Sequence, residues 1–206
     1  MLTGALVSFC AAFRSPSIVM QEVELPTGVP DAVAVLLRDV DIELARERLG
    51  LTHHDLRLFQ HISNVRGTTV NDMALALRWG VTDLRRAVSA LEAAGLVSES
   101  TRRVRARSLS DIFLARQIIA IEAKMTDWRR AIDQAIANTW FASHSYILLP
   151  DRPLGIDLVK TAERNGIGVL TFDGEYTRTR LRAVARRLPA SYGSWLVHES
   201  ALRIGR

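Results

Sequence analysis

Residues 117–125 read QIIAIEAKM and residues 29–37 read VPDAVAVLL, two apolar runs of strand length with charge at a few set places. Runs this apolar have the pattern of central strands buried on both faces. In the first, Glu122 and Lys124 stand two apart, so a strand projects them from one face. In the second, Asp31 follows Pro30 at the head of the run. An unpaired charge in such surroundings is costly.

The sequence on either side is α/β in pattern. Downstream come an amphipathic helix over 127–143, a strand over 146–150 (YILLP), a helix over 154–165 and a strand over 167–172 (IGVLTF). An arginine-rich tail, expected to be helical, fills 178–206. Upstream, an apolar helix is expected over 2–13, closed by Arg14, Ser15 and Pro16. A strand over 17–25 follows, alternating through Gln21, Glu22, Val23, Glu24 and Leu25. Pro26, Thr27 and Gly28 have turn chemistry. Neither piece closes a sheet alone. Joined, residues 1–40 and 109–206 make one α/β domain, a mixed sheet flanked by helices, which residues 41–108 interrupt.

In the interruption the period turns helical. A linker helix is expected over 41–49, ending at Gly50. Helices over 52–64, with Thr52 as N-cap, over 69–79 and over 82–94 follow, with Gly80 and Gly95 as stops. Strand-like pieces at 96–99 and 104–108 are joined by Ser100, Thr101 and Arg102. Residues 51–108 resemble the winged helix-turn-helix family, most strongly in TTVNDMALALRWGVTDLRRAVSALEAAGLV at 68–97. Leu84, Val88 and Leu91 share one face of the 82–94 helix and should be buried. Thr82, Asp83, Arg85, Arg86 and Ser89 then face outward, where the resemblance puts the recognition surface for double-stranded DNA. In the wing, Arg102 sits in the turn, while Arg103, Arg105 and Arg107 alternate with Val104 and Ala106 on one side of a strand.

Pro30-Asp31 followed by Glu122-Ala123-Lys124 resembles the PD-(D/E)xK nuclease superfamily, with its restriction-endonuclease-like fold. AIEAKMTDWRRAIDQAIANTWF, YILLP and NGIGVLTFDG fill the order of elements after that motif. The resemblance implies that Asp31 and Glu122 hold Mg²⁺ or Mn²⁺, which clamps a scissile phosphate and activates water. Lys124 would orient or deprotonate that water, which a permanently charged arginine could not do. Only two of the 27 basic residues are lysines, Lys124 and Lys160, so a lysine at this place is notable. Gln134 matches a glutamine that many members carry on the helix after the motif. Asn138 stands where one subgroup has tyrosine, a departure from the pattern. Glu22 and Glu24 are candidates for an additional acid, although the family often takes it from the first helix.

Composition agrees with a folded partner of nucleic acid. The chain has 206 residues, 48% hydrophobic and 24% charged, with a net charge of +5. Its pI near 10.1 admits an acidic partner without requiring one. The apolar run at 2–13 is too short to span a bilayer and lacks a basic leader, so no membrane partner and a cytoplasmic setting are expected. Cys10 is the single cysteine, which excludes an internal disulfide. The expected function is a Mg²⁺-dependent DNA endonuclease of restriction or repair type, with a homodimer left open. Two rivals remain: a winged-helix regulator with an inactive nuclease-like domain, and a subunit of a defence or repair complex that docks through its winged helix.

Overall fold

A computed structural model describes residues 2–10, 17–38 and 48–204. The end of the first expected helix, its closure at residues 14–16, and residues 41–47 of the expected linker helix lie outside the described residues. The chain divides into two compact units, one formed by residues up to Arg38 and Ala115–Val197, the other by Asp39–Leu114 and His198–Ile204.

The first unit is an α/β layer structure around one six-stranded mixed sheet. Its elements are α1 (Leu2–Cys10), β1 (Ser17–Gln21) and β2 (Ala32–Leu37). After the second unit's chain come β5 (Ala115–Ala123), α6 (Trp128–Asn138), β6 (His144–Pro150), α7 (Ile156–Asn165), β7 (Gly168–Phe172), β8 (Thr177–Leu181) and the first turns of α8 (Tyr192–Ile204), whose residues from His198 on belong to the second unit. Strand order is β1-β2-β5-β6-β7-β8. The strands β5, β6 and β7 run parallel, and β1, β2 and β8 join antiparallel. The β5–β6 and β6–β7 crossovers each carry a helix, as parallel neighbours require.

Alternation along the strands assigns the two faces. Ile119, Ile121, Tyr146, Leu148, Leu170 and Phe172 pack on α1 residues Ala5 and Leu6. Ile147, Leu149 and Val169 face Ala131, Ile132 and Ala135 of α6 and Leu158 and Ala162 of α7. Strand β2, buried from Ala32 to Leu36, reads as the continuous apolar run it is. At Gly168 an added Cβ would stand 2.1 Å from the Tyr146 ring and 2.8 Å from the Ala183 nitrogen. The ring of one strand covers the glycine of its neighbour. Gly168→Ala is therefore expected to cost about 1–3 kcal/mol in chemical denaturation, the usual range for an overpacked core. An unchanged denaturation midpoint would contradict this packing.

The tail differs from the expected helix. Thr177–Leu181 is an edge strand, and regular helix resumes only at Tyr192. Thr177 and Thr179 alternate with Arg178 and Arg180, a period of two that favours strand, and the exposed arginines also guard the edge. Its start is tied to α1: Ser8 Oγ accepts the Thr177 N–H at 3.0 Å, and the Thr177 hydroxyl donates to Ala5 O at 2.8 Å. Strand β1 is also shorter than expected, because the chain turns out of it at Glu22 with a φ of +51°.

The second unit contains α2 (His53–Asn64), α3 (Val70–Leu77), α4 (Val81–Ala93), an antiparallel ribbon of β3 (Val97–Ser100) and β4 (Arg103–Ala106), and the short α5 (Leu109–Ile112). Helices α2 and α3 both begin with reciprocal caps. Thr52 and Thr69 accept the N–H of Asp55 and Asp72, whose carboxylates accept the threonine N–H in return. Leu56, Phe59, Ile62, Met73, Leu84 and Leu91 are fully buried between the helices. Helix α3 ends earlier than expected, at left-handed Arg78, and Gly80 serves as the N-cap of α4 instead of the stop of α3. Residues 48–50, expected to end a linker helix, form a single 3₁₀ turn.

Candidate functional site

Asp31, Glu122 and Lys124 meet at one end of the β2–β5 pair. The antiparallel register sets Ala32 beside Ile121, and one step further sets Asp31 opposite Glu122. Asp31 Oδ2 accepts the Ala123 N–H at 2.7 Å and the Lys124 ammonium at 3.1 Å. Lys124 Nζ also lies 3.7 Å from Glu122 Oε2. Glu122 is buried beneath α6 at 1% exposure, whereas Asp31 and Lys124 are partly open to solvent.

Asn138 holds Glu122 from the helix side, donating to Glu122 Oε1 at 2.7 Å with both groups buried. The sequence marked Asn138 only as a departure from a family pattern. A buried amide one turn after Gln134, on the inner face of an amphipathic helix, was the available signal. Gln134 lies half-buried on the same helix, and its Oε1 is buried without a hydrogen bond. Glu22 and Glu24 are both exposed; Glu22 N–H reaches Asp31 O at 3.4 Å, and neither acid's side chain is drawn into the Asp31–Glu122 pair by a hydrogen bond or ion pair.

Burial pushes the Glu122 carboxyl above its ordinary range, and the negative Asp31 adds to this, against the pull of Asn138 and Lys124. The other carboxylate oxygen, Oε2, is buried and accepts no hydrogen bond. Such an oxygen beside a second carboxylate fits a small divalent cation, whose charge would relieve both effects. The fit is to two carboxylates: among the described residues no group of three or more His, Cys, Asp or Glu is gathered for a metal.

The sign of the linkage follows from the direction of that shift. Both states carry neutral Glu122 below its ordinary value of 4.5, and its contribution to stability is lost as pH rises through the raised folded value. Without divalent metal, Glu122→Gln is expected to raise the melting temperature by a few degrees at neutral pH and to leave it unchanged in acid. A lower melting temperature at neutral pH would show that the ionised group is held favourably.

In the second unit, Thr82, Asp83, Arg85, Arg86 and Ser89 are all exposed on α4, while Leu84, Val88 and Leu91 are buried. Arg86 lies 3.9 Å from Oδ1 of the buried Asp55, so it is braced from below. In the ribbon, Thr101 and Arg102 take positive φ at the two turn positions, as a tight hairpin demands. Arg102, Arg103, Arg105 and Arg107 are exposed, with Val104 buried between them. Val104 also exchanges backbone hydrogen bonds with Thr68, which ties the ribbon to the start of α3. The Thr69 hydrogen bonds lower the Asp72 carboxyl, and the charge of Arg103 adds a smaller pull in the same direction.

No protein-family model, curated protein or solved structure matches this chain. No helix among the described residues is long and apolar enough to cross a membrane.

Proposed function

We propose that the protein is a Mg²⁺- or Mn²⁺-dependent deoxyribonuclease of the PD-(D/E)xK type, with residues 41–108 acting as a winged helix-turn-helix that holds the duplex. The observation that carries the reading is the meeting of Asp31, Glu122 and Lys124, with a Glu122 oxygen buried and without a hydrogen bond. A divalent cation bound by Asp31 and Glu122 would polarise the scissile phosphate and lower the pKa of a water. Asn138 fixes the carboxylate of Glu122, and the Ala123 N–H fixes that of Asp31, so neither must reorganise to accept a cation. Lys124 holds its ammonium between the two acids, where it can orient the attacking water and offset charge on the phosphate. Gln134, with a buried unpartnered oxygen, is suited to a second hydrogen bond to that water.

The exposed arginines of α4 and the ribbon support duplex contact, since α4 offers its N-terminal turns and the ribbon a one-sided row of guanidinium groups. One observation favours the regulator reading: among the described residues only two carboxylates gather, and Lys124 already offsets their charge. Incubation with linear, supercoiled, single-stranded and branched DNA in Mg²⁺ and Mn²⁺ separates the two. Cleavage lost in Asp31→Ala supports the nuclease. No cleavage of any substrate, with no cation bound at millimolar concentration, leaves the regulator.

A further inference from the structure

At the carboxyl end of β6, one strand from Lys124, the sheet unit opens into a cleft of about 530 Å³. Its walls are Trp128 and Arg129 at the start of α6, Arg152 and Leu154 in the loop after β6, and Ile156 in the first turn of α7. The cleft shares the sheet face of the acidic pair. Register sets Ala123 beside Leu148, so Lys124 follows beside Leu149, whose side chain lines the cleft. Arg152 bridges the two places, donating to Met125 O at 3.2 Å, next in sequence to Lys124. Open α/β sheets take their ligands at this end of the strands.

The chemistry of the walls is mixed in a particular way. Arg129 lies over the Trp128 ring, 4.5 Å from its centroid, and gives a flat cationic platform. Ile156 is 68% exposed beside it, an apolar side chain left without cover at the mouth. Arg152 is exposed in the same lining, and Asp157 is the only acid among the described residues that line the cleft. A second hollow of about 450 Å³ shares Arg152, Pro153 and Leu154 and adds Asp151 and Arg180. There Asp151 is clamped by Arg178 and Arg180, so its charge is answered within the protein. Flat and apolar surface alternating with guanidinium groups along a groove suits bases that stack and phosphates that pair. A base inside a duplex has no free face to offer.

We propose that this cleft seats an unpaired nucleotide of the substrate strand beside the scissile phosphate, its base against Trp128 and Ile156 and its phosphate on Arg152. The inference rests on the nuclease reading and specifies its substrate as DNA with a single-stranded stretch next to the cut. The test measures binding of a fluorescein-labelled single strand, a duplex with a single-stranded overhang and a blunt duplex, in chelator so that nothing is cut. Arg152→Gln and Ile156→Asp change exposed side chains, and Trp128→Leu is checked for folding by its thermal melt.

Each variant is expected to weaken single-strand and overhang binding roughly tenfold, the scale of one lost stack or phosphate contact, and to leave blunt-duplex binding unchanged. Unchanged single-strand affinity in all three variants overturns the cleft assignment alone, provided wild-type cleavage remains dependent on Asp31. A deoxynucleoside monophosphate that binds as tightly as the oligonucleotide overturns it in favour of a free nucleotide. A wild-type protein that binds no nucleic acid overturns the nuclease reading together with it.

Discussion

Asp31→Ala and Glu122→Ala are each expected to abolish divalent cation binding and to reduce DNA cleavage by at least a thousandfold, about 4 kcal/mol of barrier. Either change leaves one carboxylate to meet the cation, and loss of Asp31 also removes the acceptor of the Ala123 N–H and the Lys124 ammonium. Calorimetric titration with Mn²⁺ reads the cation separately from the reaction. Lys124→Ala is expected to leave cation binding in place while cleavage falls by about 10²–10⁴-fold, the range of a positioned proton-transfer group. Lys124→Arg should not restore the rate, because a guanidinium keeps the charge but cannot accept a proton. Cleavage that survives both acid replacements would locate the chemistry elsewhere.

The second large effect is expected on the arginine face of residues 41–108. Replacing Arg103, Arg105 and Arg107 together by alanine should weaken duplex binding and reduce the slope of log affinity against log salt by about 0.9 per lost phosphate contact. Arg85→Ala should act in the same way without disturbing the fold, since Arg85 is exposed on α4. Arg86→Ala differs, because Arg86 braces buried Asp55, whose Oδ1 makes no hydrogen bond. Some loss of stability should therefore accompany its loss of affinity. Binding isotherms at several salt concentrations check the slope, and melting curves separate the two arginines. Unchanged affinity in the ribbon variant would favour a protein-docking role for this unit.

These expectations depend unequally on sequence and on structure. The apolar runs at 29–37 and 117–125, the alternation of helix and strand after residue 127, and the threonine cap at 52 could all be read in one dimension. Strand burial on two faces leaves few polar positions, and a helix N-terminus needs a side-chain oxygen at its cap. The outward set on α4 was legible for the same reason, since a period of 3.6 sorts faces without any knowledge of the neighbours.

Tertiary structure decided what depends on reach between distant segments. Residues 177–181 are rich in arginine, a good helix former, and only pairing with β7 makes their short two-residue period a strand. The link from Asn138 to Glu122, the brace from Arg86 to Asp55 and the cleft beside Leu149 all join residues from different elements. Local propensity says nothing about such distances. The packing of α6 over the sheet sets Asn138 within hydrogen-bond length of Glu122, while the fold of the second unit brings Arg86 to 3.9 Å from Asp55. Chemistry-bearing residue types were therefore readable from their order along the chain, while their partners, their burial and the direction of the Glu122 shift came from the folded packing around them.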